Sequence, residues 1–439
     1  MKKLKTFIFN TLILLVSSIA FQLISIYFNT YVSNKIGQEA LGLFSLVLSV
    51  YIFGITLASA GINIASTRLI SEELACTNES GAKKIAKKCI LISFFSGLLA
   101  SIIFFVFSNF IIENCLHKKV SVNIIYAICL ALPFTSMSAA INGYFTAVRR
   151  VSKNAISKFL EELVKVLSTI FILNLFLPNT INSICLSLIV GDVISEIISF
   201  FCLYILYIHD KKHLTSYTRY KDTEKYTKRI LKISLPVALT SYLRSGLSTL
   251  KQLLIPLSLE KNGMSCSSAL KKYGLIGGMV MPIILFPSVI INSFSSLLIP
   301  ELSRYYAKND YIKIKKFSIF ILIITLIFSI FITILIFILS DALCFWLYKS
   351  VNISKYVKLF CPLISLIYLD IVIDSILKGI NKQVSVMLIN ILDCIISVLF
   401  IYFLVPVLGF RGYILSIFIS ELINFVFSLS ILVKVLKLT

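Results

Sequence analysis

Two cationic side chains lie inside the apolar stretch 230–258, where a charge needs a partner or a water-filled cavity. Arg244 is near the middle of this stretch, and Lys251 follows on the same helical face, about 10 Å further along the axis. Ser241 and Ser248 extend the polar stripe. A guanidinium fork and an ammonium group suit an anionic substrate such as a phosphate or diphosphate. The alternative is a salt bridge that only fastens neighbouring helices.

Uncharged hydrogen-bonding side chains mark the first apolar run, 7–31. Gln22, Ser25 and Asn29 recur at helical spacing and therefore share one face. Amides and hydroxyls of this kind suit sugar hydroxyls in a wet cavity, and they equally serve as polar contacts between membrane helices. We treat the three residues as candidate substrate ligands, with interhelical hydrogen bonding as the alternative.

Carboxylates in the later apolar stretches are candidates for carrying a coupling cation. Asp370 and Asp374 are four residues apart and share a helical face. Asn390 and Asp393 lie one turn apart on the next segment. Their oxygens are suited to ligate Na⁺ or to exchange a proton, so we expect coupling to a Na⁺ or H⁺ gradient and no other cofactor. A structural role is the alternative for each residue.

Other intramembrane charges favour structural interpretations. Glu161 and Lys165 stand at i,i+4 and predict a local ion pair. Glu196 and Glu421 fall at equivalent positions of an internal repeat, described below, which predicts a shared structural role. The ten cysteines form no C-x-x-C pair and the three histidines lie in loops, so we expect no metal site and no thiol chemistry.

The composition places these residues in a membrane. Of 439 residues, 58% are hydrophobic and 14% are charged, with a mean hydropathy of +0.96. A soluble domain carries roughly 25% charged residues. The composition therefore excludes a soluble enzyme, a nucleic-acid-binding domain and a disordered chain. The apolar runs are long rather than alternating, which predicts an all-α polytopic membrane protein.

Twelve apolar stretches are long enough to span a bilayer. They are 7–31, 41–67, 87–112, 120–147, 155–177, 181–208, 230–258, 273–299, 315–340, 354–379, 384–407 and 412–434. With both termini in the cytoplasm, the inner segments hold 29 Lys and Arg and the outer segments 10. This bias predicts a multi-pass protein of the cell membrane with cytoplasmic termini. The net charge of +22 is explained by the same rule, and we expect no nucleic-acid partner.

The chain matches itself at a shift of 225–229 residues. Asn63 aligns with Asn292, Glu72 with Glu301, and Glu196 with Glu421. Six helices separate the copies, which predicts parallel repeats: an N-terminal six-helix lobe (1–208), a basic cytoplasmic linker (209–229) and a C-terminal six-helix lobe (230–439). Such two-lobed proteins bind substrate near the midplane and work by alternating access. The longest polar stretch, 209–229, leaves no room for a catalytic domain, so we expect a transporter and not an enzyme.

The sequence resembles the multidrug/oligosaccharidyl-lipid/polysaccharide flippase superfamily, and within it the bacterial polysaccharide-transport branch that includes sporulation and lipid II flippases. The stretches that carry the resemblance are 35–44, with Gly37 and Gly42; 143–150 with 155–162; and 273–303, with Gly274, Pro282 and Pro287. The resemblance implies a MATE-like fold of two six-helix lobes around a central cavity. It also implies that the cargo is an undecaprenyl-diphosphate-linked oligosaccharide or peptidoglycan precursor, flipped across the cell membrane by a monomer in contact with membrane lipids.

Two other classes of function compete with this hypothesis. A cation-coupled multidrug antiporter has the same fold, but its cargo is usually cationic and favours carboxylates over Arg244 and Lys251 in the cavity. A membrane-embedded glycosyl- or acyltransferase needs a catalytic His or Asp cluster and a sizeable outer loop, and the sequence contains neither.

Overall fold

A computed structural model describes residues 2–76, 78–116, 120–175, 180–211 and 223–438 of the chain. Within these ranges the backbone is helical, with short turns and no strand. The α-helices of five or more residues are α1 (Lys2–Ser59), α2 (Ile62–Ala75), α3 (Glu79–Val106), α4 (Val122–Ala147), α5 (Val151–Leu175), α6 (Ile181–Lys211), α7 (Thr223–Lys261), α8 (Cys266–Gly274), α9 (Met281–Leu285), α10 (Ser288–Ala307), α11 (Tyr311–Tyr348), α12 (Ser354–Gly379), α13 (Gln383–Leu408) and α14 (Phe410–Leu438).

The predicted all-α polytopic class is confirmed, and each predicted span is largely helical where the structure describes it. Nine helical stretches in the described ranges are long and apolar enough to cross a membrane. The first, from Ile19 to Ala75, includes the second predicted span and the later part of the first. Helices α5, α7 and α10 are absent from that set.

Local sequence determines where several helices bend or begin. Gly37 interrupts α1 with φ 78° and ψ 173°, and Gly61 separates α1 from α2 with φ 77°. Glycine adopts this left-handed region without a Cβ penalty. Asn78 caps α3 by accepting from the Gly81 amide at 3.0 Å. Asp310 caps α11, and its hydrogen bond from the Lys313 side chain lowers the pKa of the Asp310 carboxyl.

The chain divides into two compact units. Unit 1 contains Met1–Ser17 and Leu46–Thr249, and unit 2 contains Ser18–Ser45 and Leu250–Thr439. The division therefore falls inside α1 and α7, whereas the lobe prediction places it at the linker 209–229. The assignment to two repeated six-helix lobes stays a prediction.

In unit 1 the beginning of α7 is bound to neighbouring helices by packing and by charge. Tyr226 and Ile230 are buried in the core formed by α2, α3, α4 and α6. The Arg229 guanidinium donates to Glu72 at 3.0 Å and to Glu73 at 2.9 Å. The segment 223–229, predicted as linker, is thus the first part of α7. The central part of that predicted linker, 212–222, lies outside the described residues.

The resemblance stretch 143–150 has a structural role at one end of unit 1. Asp210 is buried at the end of α6 and accepts hydrogen bonds from three side chains. Tyr144 donates its hydroxyl at 3.0 Å, and Arg150 and Lys153 add two ion pairs. A buried carboxylate needs such compensation, so this motif joins the ends of α4, α5 and α6.

In unit 2 three glycines allow α1 and α8 to approach closely. A Cβ built on Gly42 would lie 2.2 Å from the Leu270 carbonyl oxygen, and one built on Gly274 would lie 2.2 Å from the Gln38 oxygen. A Cβ on Gly278 would overlap Leu41. These contacts require residues without side chains, and they explain why the segment 18–45 belongs to unit 2.

Pro282 and Pro287 interrupt the helix that follows α8. The backbone widens to a π-helical segment, Leu275–Val280, before α9. Proline lacks the amide hydrogen that an α-helix would direct to the carbonyl four residues earlier, which for Pro282 is the Gly278 carbonyl. Asn29 donates its side-chain amide to that oxygen at 2.9 Å. The hydroxyls of Tyr348 and Tyr368 donate to the Met279 and Ile284 carbonyls, each at 3.2 Å.

Candidate functional site

The candidate anion-binding stripe on α7 contains an exposed arginine, Arg244. Arg244 lies near the middle of α7, and no carboxylate of the described residues lies within ion-pair distance of it. Ser241 donates to the Val237 carbonyl of its own helix at 2.8 Å, and Ser248 is partly buried. Thr249 donates to the Ser49 carbonyl at 3.1 Å, which attaches this part of α7 to α1. Among the described residues, the Arg244 guanidinium therefore has no carboxylate counter-ion.

Lys251 belongs to the other unit and has polar neighbours there. Its ammonium group donates to the hydroxyl of Ser397 on α13 at 3.1 Å. Its charge also acts on the Glu421 carboxyl of α14. Arg244 and Lys251, which the sequence placed in one stripe, thus belong to different units. Lys251 belongs to the same unit as the carboxylates that were predicted to form a separate cation site.

The predicted coupling residues lie on α12 and α13, both in unit 2. Asp370 is partly buried and accepts from the Asn424 amide of α14 at 2.8 Å. Asp374 accepts from Lys378 at 3.4 Å and from the Asn390 amide at 3.5 Å. Asn390 therefore contacts Asp374 across helices, whereas the sequence grouped it with Asp393.

Four carboxyl groups form the acidic cluster of unit 2, which consists of Asp370, Asp374, Asp393 and Glu421. Asp374 and Asp393 act electrostatically on Asp370, and Asp370 and Asp393 act on Glu421. Lys378 pairs with Asp374, and the positive charge of Lys251 acts on Glu421. Within the described ranges no group of three His, Cys, Asp or Glu side chains has a geometry that would hold a metal ion.

Three members of this environment were not among the predicted site residues. Glu421 was interpreted as structural, and Asn424 and Ser428, which lie beside Asp370, were not singled out. The sequence did contain a signal for Asn424 and Ser428, because they follow Glu421 by three and seven residues and so share its helical face. Only the packing of α14 against α12 brings that face to Asp370.

Unit 1 contains its own set of intramembrane charges, paired differently from the prediction. The Lys165 ammonium lies 2.8 Å from a carboxylate oxygen of Asp192 on α6. Glu161 instead pairs with Lys158, one turn earlier on α5, and accepts from the Ser199 hydroxyl at 3.0 Å. The predicted Glu161–Lys165 pair is therefore wrong. Asp192 is nearly inaccessible to solvent and requires a counter-charge, whereas Glu161 has Lys158 within reach.

The polar residues of α1 lie in unit 2. Gln22 and Asn29 line a cavity of about 430 Å³ whose walls come from α1, from the segment around Pro282 and Pro287, and from α11. Asn29 uses its amide hydrogens on the Gly278 carbonyl. Ser25 is partly buried and does not line the cavity. The remaining lining residues are overwhelmingly apolar, so the cavity offers few groups to bind sugar hydroxyls.

Comparisons with known proteins identify relatives over most of the chain. Residues 7–306 match the family model described as polysaccharide biosynthesis protein. Stage V sporulation protein B of Bacillus subtilis (strain 168) is 22% identical over 420 residues, which cover 94% of this chain and 81% of that protein. Sporulation protein YkvU of the same organism is 24% identical over 300 residues, covering 67% of this chain and 65% of that protein.

Solved structures share the fold. The inward-facing conformation of a multidrug resistance MATE family transporter of the MOP superfamily superposes with a TM-score of 0.76. The alignment covers 97% of this chain and 99% of the other at 13% sequence identity. This likeness confirms the predicted MATE-like architecture and, at such low identity, concerns the fold alone.

Proposed function

The chain belongs to the polysaccharide biosynthesis protein family of the multidrug/oligosaccharidyl-lipid/polysaccharide flippase superfamily, and from this premise we propose that it flips a lipid-linked sugar across the cell membrane. The proposed cargo is an undecaprenyl-diphosphate-linked oligosaccharide or a peptidoglycan precursor, moved by alternating access. The family match and the relationship to a sporulation protein support a cargo of cell-envelope biosynthesis.

The proposed substrate chemistry rests on the position and exposure of Arg244. An arginine in the middle of a membrane helix costs at least about 2.5–3.5 kcal/mol on insertion scales. Such a cost is offset by a carboxylate, by water or by an anionic ligand. No described carboxylate pairs with Arg244, and its side chain is exposed. A diphosphate carries about two negative charges and matches the planar, bidentate geometry of the guanidinium.

The acidic cluster of unit 2 is the proposed coupling site. The cluster gathers four carboxyl groups in unit 2, those of Asp370, Asp374, Asp393 and Glu421, and carboxyl groups are suited to exchange protons or to ligate Na⁺. Protons bind without a metal-binding geometry, and Na⁺ binds through carboxylate and amide oxygens such as those of Asn390. Either ion would link transport to the corresponding gradient.

The second candidate function is a cation-coupled multidrug antiporter. The fold of the structural neighbours and the acidic cluster are compatible with it. A cationic drug would have to bind near Arg244 against charge repulsion, which disfavours this candidate.

Reconstituted protein distinguishes the two functions. One set of liposomes receives a labelled polyprenyl-diphosphate sugar, and a second set receives a lipophilic cationic dye. We expect sugar-lipid flipping by the wild-type protein, a loss of tenfold or more in Arg244→Ala, and partial recovery in Arg244→Lys. Removing one partner of a charged contact costs about 2–5 kcal/mol. Arg411→Ala, an exposed arginine at the start of α14, is the matched control and should flip normally.

The opposite pattern would refute the proposal. Dye efflux that survives Arg244→Ala, together with no flipping by the wild-type protein, would identify a multidrug antiporter. Equal flipping by Arg244→Ala and Arg411→Ala would remove Arg244 from the substrate site.

A further inference from the structure

The part of α7 that carries Arg244 lies against the C-terminal part of α1, and both segments belong to unit 1. The Tyr242 hydroxyl donates to the Leu57 carbonyl at 3.1 Å. Two turns later on α7, the Thr249 hydroxyl donates to the Ser49 carbonyl, also at 3.1 Å. The contact moves forward on α7 as it moves back on α1, so the two helices run antiparallel here.

Two glycines lie along the same contact. A Cβ built on Gly246 would meet the Phe53 ring at 3.5 Å, which is ordinary van der Waals contact. A Cβ built on Gly61, just beyond the end of α1, would lie 2.3 Å from the Ser234 carbonyl oxygen. The contact with α1 and its C-terminal end therefore extends along one side of α7, from position 234 to position 249.

Both hydrogen bonds are costly to break inside a membrane. Leu57 is in the last turn of α1, where carbonyl groups have no amide partner within the helix. Lipid supplies no water that could replace the Tyr242 hydroxyl at this carbonyl. Thr249 and Ser49 are 9% and 2% exposed, so their contact is also shielded from solvent. The two bonds together fix the rotation of α7 about its own axis relative to α1.

This rotation turns Arg244 away from α1. Arg244 is two residues from both Tyr242 and Gly246, and two residues correspond to about 200° around a helix axis. The arginine therefore lies on the side of α7 opposite to the α1 contact. Ser241 and Ser248 are within about 60° of Arg244 by the same spacing, so the polar side of α7 is the side that α1 does not cover.

A stripe of leucines shows what a change in this rotation would do. Leu235, Leu239 and Leu243 recur at every fourth residue of α7 and are 56–59% exposed. Leu243 directly precedes Arg244 and is about 100° from it around the axis. A turn of α7 by one residue position would thus put a leucine where the arginine stands. A guanidinium fork binds phosphate oxygens in a defined orientation, so binding requires that α7 keep its rotation.

We infer that Tyr242 and Thr249 are positioning residues, whose hydrogen bonds to α1 hold the Arg244 guanidinium on the side of α7 where it binds the diphosphate of the cargo. The identity of this ligand rests on the proposed function. The C-terminal part of α1 accordingly supports α7 from behind, and the side with Ser241, Arg244 and Ser248 presents the binding groups.

Binding of a labelled polyprenyl-diphosphate sugar to the purified full-length protein in detergent tests this role. We expect Tyr242→Phe and Thr249→Val each to raise the dissociation constant at least threefold, and the double variant to raise it at least tenfold. Thr249→Ser keeps the hydroxyl and should stay within twofold of the wild-type protein. In an Arg244→Ala background the same substitutions should have no further effect, because residues that act through one shared group are not additive.

Thr67→Val is the matched control. The Thr67 hydroxyl also donates to a carbonyl of a neighbouring helix, that of Gly143 on α4, at 3.2 Å. This bond joins α2 to α4 within unit 1 and does not involve α7, so Thr67→Val should leave the dissociation constant within twofold. If Thr249→Val elutes as an aggregate in gel filtration, Thr249→Ala takes its place.

A flipping assay on the same variants in liposomes separates the positioning role from the proposed function. Flipping by the wild-type protein, together with unchanged binding in the double variant, would refute the positioning role and leave the flippase proposal standing. Losses of affinity that persist in the Arg244→Ala background would identify a general structural effect and would also refute it. No binding of the sugar lipid by the wild-type protein would overturn both proposals. The expected losses of affinity without any flipping would support the positioning role and refute the proposed transport.

Discussion

Lys165 shows how a buried charge selects its partner. At i,i+4 from Glu161 the sequence offers a pair within α5, yet the ammonium group pairs with Asp192 on α6 at 2.8 Å. Asp192 is 5% exposed and has little contact with water. An unpaired carboxylate there would be far more costly than one at Glu161, which Lys158 neutralises.

This difference predicts the stability of two matched variants. Lys165→Met leaves Asp192 buried without its counter-charge and should lower the free energy of unfolding by about 3 kcal/mol. Lys158→Met removes a more exposed pair on the same helix and should cost about 0–1 kcal/mol. Thermal unfolding in detergent measures both variants. Equal losses would show that the Lys165–Asp192 pair makes no special contribution.

At the acidic cluster, Asp393→Asn and Asp370→Asn should each uncouple transport from its driving gradient. An amide does not exchange a proton at physiological pH and is a weaker ligand for Na⁺. We expect the ratio of transport with and without a pH or Na⁺ gradient to fall to about one. Asp341→Asn is the control, since Asp341 is exposed, pairs with Lys358 and lies outside the cluster.

Gradient-driven transport that persists in full in Asp393→Asn would make Asp393 structural. The coupling group would then be sought at Asp370 and Asp374. If both of these positions also tolerate the change to asparagine, the acidic cluster of unit 2 does not couple transport to a gradient.

At the scale of the element, α1 is shared between the two units because of its glycines. Gly37 breaks the helix, and Gly42 then lets the following turn contact the Leu270 carbonyl and Gly274 of α8. Without side chains at these points the segment 18–45 packs within unit 2, while the residues from Leu46 onward belong to unit 1.

Adding one methyl group at this contact should therefore be destabilising. A Cβ on Gly42 would meet backbone atoms that do not move aside, so Gly42→Ala should lower the free energy of unfolding by about 1–3 kcal/mol. Gly277→Ala is the control, because a Cβ there meets no atom within 4 Å. Its effect should stay within about 1 kcal/mol. Detergent unfolding curves that do not differ between the two would contradict the close approach of α1 and α8.

At the scale of the whole molecule, the distribution of charge predicts the orientation of the chain. The 29-to-10 bias of Lys and Arg predicts that both termini are cytoplasmic by the positive-inside rule. Reporter fusions after Lys211 and after Thr439 should report cytoplasm, and a fusion after Lys261 should report the exterior. An exterior signal at Lys211 would overturn the predicted twelve-span topology.

Much of the architecture followed from the sequence, because membrane helices are determined by local properties. Long apolar runs predict the helices, since every backbone polar group must be satisfied within lipid. The breaks at Gly37, Pro282 and Pro287 are local as well, because glycine and proline act on their own backbone. The family resemblance through Gly42 and Gly274 also came from the sequence, although their mutual contact did not.

The tertiary structure alone decided which charges and polar groups meet. Helical spacing grouped Arg244 with Lys251 and Asn390 with Asp393, but spacing describes one helix and carries no information about its neighbours. Packing of α13 and α14 brought Lys251 to Ser397 and Glu421. Packing of α1 on the proline-broken segment brought the Asn29 amide to the Gly278 carbonyl. The chain thus determines its helices by local chemistry, whereas its sites depend on contacts between residues as much as 249 positions apart.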